Sequence, residues 1–234
     1  MNPGAIRTES DMADMSKMRR MMVDGQVRTV DVTDRALLGA LGDVPRERFV
    51  PGRLRALAYV DRDLPVSEAS STREARYLME PGPFARLVQA AELSAGDVVL
   101  DIGCGTGYSA AVLARLASSV VALESDPELA RYANEALAEL GIDNVAVVTG
   151  PLEKGYAGEG PYDAILLEGA VETIPESLFE QLKPDGRLVA VVGYDRTARA
   201  TVYRRSGDGV SGRAAFDAHV SPLPGFRGPK AFVF

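Results

Sequence analysis

Cysteine and histidine are almost absent from this chain, and long hydrophobic runs are missing altogether. The 234 residues include one cysteine, Cys104, and one histidine, His219. A single cysteine excludes an internal disulfide, which fits a reducing compartment. No apolar run reaches the roughly 18 residues of a membrane-spanning helix, and the first 20 residues have no continuous apolar core like that of a secretory signal. We therefore expect a cytoplasmic protein without a membrane partner.

The chain also lacks an excess of positive charge. Its net charge is −7, which argues against nucleic-acid binding as the main role. The charge is uneven, since residues 120–180 carry about −11 and residues 187–230 about +5. The basic segment either attracts an anionic substrate or is a solvated charged surface.

The N-terminal part of the chain has the pattern of helices and loops. Residues 1–17 are polar and rich in methionine, so we expect a flexible extension. The stretch after Thr33 places apolar residues on one helical face, with Thr33 as the expected N-cap. Residues 83–93 predict a helix with Pro83 in its first turn. Residues 18–93 are thus expected to form a helical cap.

From residue 94 onward, strands and helices alternate. Five apolar runs predict buried strands, at residues 98–103, 120–125, 145–150, 162–169 and 187–193. Helices are predicted between most of them, and this order predicts an α/β fold with a doubly wound, mostly parallel sheet. Weaker strand candidates at residues 201–207, 214–220 and 230–234 suggest an antiparallel edge. We expect residues 18–234 to form a single domain.

A glycine-rich loop follows the first of these strands, in "VLDIGCGTGYSAAVLA". Gly103, Gly105 and Gly107 stand between strand and helix, where glycine lets the backbone approach a ligand closely. The dinucleotide fingerprint G-x-G-x-x-G needs its third glycine at the position of Tyr108. A pyrophosphate cofactor, and with it a dehydrogenase, is therefore disfavoured.

Two acidic residues indicate what the loop binds. Asp101 precedes the loop, where a carboxylate repels a pyrophosphate but accepts hydrogen bonds from an ammonium group. Glu124 ends the second strand, 21 residues after Gly103, where an acid accepts hydrogen bonds from both ribose hydroxyls. A nucleoside with a positively charged amino-acid tail fits both, and S-adenosylmethionine has that shape.

Other parts of this cofactor are expected to lie near the ends of the third and fourth strands. Pro151 has no N–H, so backbone contacts to adenine begin at Leu152, unless this segment is a plain turn. Glu168 ends the fourth strand and either contacts the cofactor or substrate or caps the next segment. The full set of predicted cofactor residues is Asp101, Gly103, Cys104, Gly105, Thr106, Gly107, Tyr108, Glu124, Ser125, Leu152 and Glu168.

The whole chain resembles the protein-L-isoaspartate O-methyltransferases over roughly residues 21–226. The matching stretches are "MVDGQV", "TDRALLGALGDVPRERFVP", "AYVDRDLP", "LDIGCGTGYSAAVLA", "PYDAILLEGAVETIPESLFEQLKPDGRLVAVVG" and, more weakly, "AHVSPLPGF". The resemblance implies a Rossmann-like, seven-stranded class I methyltransferase core with an N-terminal helical cap. It also implies methylation of the carboxylate of isoaspartyl residues in damaged proteins, with S-adenosylmethionine as cofactor and a protein or peptide as partner.

One stretch, "LPVSEASSTREARYLMEP", departs from the family pattern. The family has a Gln-Thr-Ile-Ser-x-Pro element here, whose Ser and Thr lie at the reacting groups. Counting back from Asp101 places its Pro on Pro81 and its other residues on candidate positions Arg76, Tyr77 and Met79. Counting forward from Pro65 places the Ser on Arg73 and the Thr on Ser71. Neither register restores the element, so Arg76, Tyr77 and Met79 stand as candidate catalytic residues.

Methyl transfer to a carboxylate needs few special side chains. The acceptor is ionised at neutral pH and requires placement and exclusion of water rather than a strong base. His219 and Cys104 are therefore interpreted as structural, and no metal is predicted. Arg76 or Arg73 either pairs with an anionic acceptor or is a surface charge. Residues 70–72 form either a lid or a solvated loop.

Three functions remain open at this stage. The first is isoaspartyl methylation. The second is methylation of another acceptor, such as a different carboxylate, a hydroxyl or a small molecule, by an enzyme of the same ancestry. The third is a protein that binds S-adenosylmethionine without catalysis.

Overall fold

The computed structural model describes residues 9–70, 74–194, 197–207 and 209–228. The α-helices in this part of the chain are α1 Glu9–Met22, α2 Arg35–Asp43, α3 Pro81–Ala90, α4 Tyr108–Leu113, α5 Pro127–Glu139 and α6 Glu176–Glu180. The strands are β1 Leu64–Ser67, β2 Arg76–Leu78, β3 Val98–Ile102, β4 Ser119–Glu124, β5 Val145–Thr149, β6 Tyr162–Val171, β7 Leu182–Val192, β8 Arg199–Ser206 and β9 Gly209–Asp217.

Seven of the strands form one sheet in the order β5-β4-β3-β6-β7-β8-β9. Strands β3 to β7 run parallel to one another, whereas β8 pairs antiparallel with β7 and β9 pairs antiparallel with β8 at one edge. The order reverses at β3, so the carboxyl ends of β3, β4 and β6 flank the switch point at which ligands bind in such sheets. The predicted doubly wound sheet with an antiparallel edge is confirmed.

The two faces of the sheet are covered by different parts of the chain. Alternate residues of β6 point to opposite faces, so Ala164 and Leu166 join one hydrophobic cluster and Ile165 and Leu167 the other. The first cluster also contains residues from α2, α3, α4 and α5, and the second contains α6 and Leu223. The predicted helical cap therefore shares one continuous core with the sheet.

The stretch that departs from the family pattern forms a second, two-stranded sheet. Strand β1 pairs antiparallel with β2, with Leu64 opposite Leu78. Side chains alternate along β2, so that Arg76 and Leu78 are buried while Tyr77 is 38% exposed. Strands β1 and β2 thus form an antiparallel pair whose buried face holds a charged side chain.

Several helix boundaries differ from the predictions. Helix α2 is capped by Asp34 rather than Thr33, because the Asp34 carboxylate accepts the N–H of Leu37. Helix α3 begins at Pro81 rather than Pro83, since Glu80 is still extended and Pro81 has the fixed φ of a first helical residue.

Residues 9–17, part of the extension predicted at residues 1–17, are the first part of α1. The stretch between the fourth and fifth predicted strands is only partly helical. Helix α6 has five residues, because Leu182 already pairs with Tyr162 and begins β7. The strand candidate at 230–234 lies outside the described residues. Within those residues, no helix is long and apolar enough to cross a membrane.

The basic C-terminal segment pairs mostly with acidic neighbours. Ion pairs join Arg199 to Asp217, Arg204 to Glu92, Arg227 to Glu74 and Arg187 to Asp97. These pairs favour a charge-balanced surface over an anion-binding patch.

Arg187 connects the N-terminal part of the chain to the sheet. It lies on β7 and is 8% exposed. Its guanidinium donates to the carbonyls of Ala91 and Glu92 after helix α3, to Asp163 O at 3.0 Å and to the Asp97 carboxylate at 2.5 Å. Removing it would leave several buried acceptors unpaired.

We therefore expect Arg187→Met to lower the free energy of unfolding by about 3 kcal/mol. Arg213→Met, on the exposed strand β9, serves as the control and should change stability by no more than about 0.5 kcal/mol. Urea denaturation of both variants measures this. Equal stability of the two variants would contradict a connecting role for Arg187.

Candidate functional site

The glycine loop between β3 and α4 forms the floor of the site. Gly103, Gly105 and Gly107 all have positive φ, at 85°, 56° and 95°. A Cβ on Gly103 would lie 2.5 Å from Leu223 Cδ1 and 3.0 Å from Arg76 Nη2. The backbone here therefore adopts a path, and accepts neighbours, that only glycine allows.

Asp101 lies at the end of β3 and is completely buried. Its Oδ2 accepts a hydrogen bond from Ser109 Oγ at 2.6 Å, whereas Oδ1 has no hydrogen-bond partner among the described residues. Burial raises the pKa of Asp101 to about 7; the hydrogen bond from Ser109 opposes this, and the charge of Glu124 adds to it. A buried acceptor without a partner is unusual and fits the ammonium group of a ligand.

Glu124 ends the neighbouring strand β4 and is also completely buried. Its Oε1 accepts the backbone N–H groups of Ser125 at 2.7 Å and Asp126 at 3.0 Å, and its Oε2 accepts that of Gly105 at 2.9 Å. One carboxylate thus holds the start of helix α5 against the glycine loop.

Arg76 reaches this carboxylate from β2. Its Nη1 lies 2.6 Å from Glu124 Oε1, and its Nη2 donates to Gly103 O at 2.9 Å. The side chain is 4% exposed, so Arg76 is not the surface charge that the sequence left open. It connects the strand that departs from the family pattern to the predicted cofactor residues.

The other two candidates on this segment have different surroundings. Tyr77 points to the exposed side of β2. The Met79 side chain is buried, and its carbonyl accepts a hydrogen bond from Arg46 Nη2 at 2.6 Å. Of the three candidates, only Arg76 directs its side chain to Asp101, Glu124 and the glycine loop. Residues 71–73, which include the alternative candidates Ser71 and Arg73, lie outside the described residues.

A cavity of about 490 Å³ opens beside Glu124. It lies between β2, the start of α5 and the C-terminal segment. The residues that line it are Ser70, Glu74, Arg76, Ser125, Asp126, Pro127 and Pro224. Three of these residues, Arg76, Ser125 and Asp126, also bind the Glu124 carboxylate, whereas Leu152 does not line the cavity.

Glu168 brings a further carboxyl group to this region, from β6. Burial raises its pKa well above the ordinary range, the charge of Asp101 raises it further, and Arg76 and Arg46 oppose the rise. The carboxyl group is therefore kept neutral more readily than an exposed glutamate. A carboxyl group whose pKa is raised by burial and by a neighbouring carboxylate is typical of a functional site.

Four further predicted cofactor residues, Cys104, Thr106, Tyr108 and Leu152, are buried and contact other parts of the protein. Thr106 Oγ1 donates to Phe49 O at 2.5 Å. The Tyr108 ring packs against Phe49, Phe84 and the Arg46 guanidinium. Cys104 is buried, and burial raises the pKa of its thiol well above the usual value, which suits the structural interpretation. Leu152 is buried in the second hydrophobic cluster.

The sequence analysis missed two charged residues that fix the walls of the site. Arg46 is fully buried, and Asp63 accepts the backbone N–H groups of Glu80 and Ser221, both at 2.8 Å. Both residues lie within stretches that resemble the family. Neither residue stands out in the sequence, because each lies among other charged residues, at 46–48 and at 61–63, and their partners are distant in sequence.

His219 lies away from this cluster of carboxyl groups. It is exposed and lines a second cavity of about 320 Å³ together with Gln26, Glu80 and Arg86. Within the described ranges, no group of three or more His, Cys, Asp or Glu side chains is arranged to hold a metal ion.

Comparison with known proteins was made over the whole chain. Residues 17–220 match the family model described as Protein-L-isoaspartate(D-aspartate) O-methyltransferase (PCMT). The chain is 35% identical to the Protein-L-isoaspartate O-methyltransferase of Koribacter versatilis (strain Ellin345), covering 93% of this chain and 96% of the relative. It is 39% identical to the protein of that name from Gloeobacter violaceus (strain ATCC 29082 / PCC 7421), covering 86% and 96%.

Among solved structures, the fold is similar to a Plasmodium falciparum protein described as a protein-L-isoaspartate O-methyltransferase and crystallised with S-adenosyl-L-homocysteine. The TM-score is 0.72 with 19% identity, and the match covers 88% of this chain and 97% of that one. At this identity the likeness concerns the fold.

The buried Asp101 carboxyl makes stability depend on pH. Because the pKa of Asp101 is raised to about 7, the folded protein keeps this proton between about pH 4 and pH 7, where the unfolded chain loses it. The stabilising contribution of this proton is complete below about pH 4 and is lost as pH rises through about 7.

Without cofactor, we therefore expect Asp101→Asn to gain stability relative to wild type as pH rises. The difference in unfolding free energy should shift in favour of the variant by about 3 kcal/mol between pH 5 and pH 8. Urea denaturation at several pH values measures it, with Asp143→Asn in an exposed loop as the control. A difference that is independent of pH would contradict the prediction.

Proposed function

The chain belongs to the protein-L-isoaspartate O-methyltransferase family, and from this premise we propose how its residues methylate the carboxylate of isoaspartyl residues in protein or peptide acceptors. It is an S-adenosylmethionine-dependent methyltransferase. The observation that carries the assignment of its site is the buried Asp101 Oδ1, which has no partner among the described residues and lies before a loop of three positive-φ glycines.

The proposed cofactor contacts follow from the chemistry of each part of S-adenosylmethionine. Asp101 accepts hydrogen bonds from the ammonium group, and Glu124 accepts them from the ribose hydroxyls. The backbone of Gly103 and Gly105 lies against the amino-acid tail, and Leu152 supplies the first free N–H group near adenine. The cavity lined by Arg76 and Ser125 supports the position proposed for the ribose.

Methyl transfer to a carboxylate requires few specialised side chains from the protein. Bound S-adenosylmethionine supplies a methyl group on a positively charged sulfur. The acceptor carboxylate is already ionised at neutral pH, so the protein needs to hold it in line and exclude water. Because the raised pKa of Glu168 favours its neutral form, this carboxyl group repels an incoming carboxylate less than an ionised one would.

The segment at residues 76–81, which the resemblance places at the methyl acceptor, differs from the family pattern in its side chains. Tyr77 and Met79 stand where the resemblance expects Thr and Ser, so the segment offers no aliphatic hydroxyl at these two positions. The main chain is nevertheless fixed, because Asp63 binds Glu80 N and Arg46 binds Met79 O. We propose that the backbone of this segment and the Arg76 guanidinium take over acceptor placement.

The direct test is methyl transfer to a synthetic peptide that contains one L-isoaspartyl residue. The matched control is the same peptide with an ordinary aspartyl residue. We expect an alkali-labile methyl ester on the isoaspartyl peptide alone. Product is measured by mass spectrometry and by release of labelled methanol.

Asp101→Asn should weaken S-adenosylmethionine binding by roughly 10- to 100-fold, the value of one hydrogen bond to a charged group. Asp143→Asn should bind it as wild type does. Methylation of another carboxylate, but of no isoaspartyl peptide, would instead indicate a different acceptor. Cofactor binding with no methylated product from any protein or small-molecule fraction would contradict catalysis itself.

A further inference from the structure

We propose that Arg76 exchanges partners during the reaction: it leaves Glu124 when the cofactor ribose binds, and then pairs with the acceptor carboxylate. The cofactor would therefore bind before the acceptor. This inference rests on the proposed function, because it assigns the residue that binds the anionic acceptor.

The first step concerns the capacity of Glu124. A carboxylate offers about four lone-pair sites. Glu124 already accepts from Gly105 N, Ser125 N, Ser125 Oγ, Asp126 N and Arg76 Nη1, at 2.6 to 3.2 Å. Four of these contacts are to Oε1 and one, from Gly105 N, is to Oε2. Glu124 is completely buried and is not among the residues that line the 490 Å³ cavity, whereas Arg76 and Ser125 are. Ribose hydroxyls that enter from this cavity therefore reach the carboxylate only if a present donor moves aside.

The second step concerns which donor can leave. The three backbone N–H groups belong to the glycine loop and to the turn that starts helix α5, so they are fixed by the fold. Two side-chain donors remain, Ser125 Oγ at 3.2 Å and Arg76 Nη1 at 2.6 Å, and both residues line the cavity. Arg76 has the longer side chain, so its guanidinium can turn along the cavity wall and uncover the carboxylate. The ribose hydroxyls then replace the donor that Glu124 loses, so no bare carboxylate stays buried.

The charges favour the same exchange. Without cofactor, the positive charge of Arg76 balances Glu124 at 2.6 Å. The cofactor brings a positively charged sulfur close to the same loop, and this charge repels the guanidinium. The anionic acceptor then provides a new carboxylate for Arg76. The planar guanidinium can bind it with two hydrogen bonds, one to each carboxylate oxygen.

The exchange also lets Arg76 bind the anionic substrate in preference to the neutral product. In the transfer, the bond between sulfur and methyl carbon breaks as a bond from a carboxylate oxygen to that carbon forms. The sulfur loses its positive charge and the carboxylate its negative charge, with no proton needed. Arg76 thus binds an anionic substrate and has no charge to bind in the neutral ester product, which favours product release.

The proposal is tested first without any acceptor. Arg76→Gln installs the residue that the family resemblance expects here and removes the charge-assisted bond to Glu124. We expect it to bind S-adenosylhomocysteine about tenfold more tightly than wild type by isothermal titration calorimetry. S-adenosylmethionine should gain at least as much. Arg213→Gln, on exposed β9, is the control and should leave both affinities unchanged.

The second arm uses the isoaspartyl peptide. Wild-type protein should bind it only when S-adenosylhomocysteine is present, and Arg76→Gln should raise its KM about tenfold or more. Arg76→Lys keeps the positive charge and should recover part of the loss. Circular dichroism and thermal unfolding of each variant establish that it is folded.

If the exchange occurs, Arg76→Gln binds S-adenosylhomocysteine more tightly and the isoaspartyl peptide more weakly. General damage to the site would weaken the binding of both ligands. Weaker or unchanged S-adenosylhomocysteine binding by a folded Arg76→Gln would overturn the proposal, as would a gain for S-adenosylmethionine alone. Tight peptide binding by wild type without cofactor would also overturn it. If isoaspartyl methylation itself fails, the calorimetric arm still decides whether Arg76 competes with the ribose.

Discussion

The site is organised around one buried carboxylate, that of Glu124. It accepts hydrogen bonds from the glycine loop, from the start of α5 and from Arg76 on β2. These three segments come from distant parts of the chain, and each has a different task in handling the ligands. A buried charge is stable only when its acceptor sites are filled, so the position of each segment depends on the others. A change in any one of these segments is therefore expected to affect the other two.

Much of the fold and of the cofactor side could be predicted because the signals are local. Gly103, Gly105 and Gly107 require a particular backbone conformation within five residues. Asp101 and Glu124 each end a strand, and the carboxyl ends of neighbouring parallel strands meet at one edge. The alternation of apolar runs then predicts the sheet without any knowledge of distant contacts.

The surroundings of Arg76 could not be predicted in the same way, because they depend on long-range contacts. Sequence alone left Arg76 open as a surface charge, since its partner Glu124 is 48 residues away and its burial depends on the pairing of β1 with β2. The roles of Arg46 and Asp63 depend equally on long-range contacts. The wrong N-cap at Thr33 has a related cause, because two polar residues stood side by side and only the three-dimensional path selects Asp34.

Asp63 joins two backbone segments that border the site. Its two carboxylate oxygens bind the main chain on both sides of the acceptor region, at Glu80 and at Ser221. Leu223, two residues beyond Ser221, packs against Gly103. One carboxylate therefore ties the segment that covers Gly103 to the residue that precedes helix α3. Loss of the Asp63 side chain would therefore leave two backbone N–H groups, on opposite sides of the site, without their acceptor.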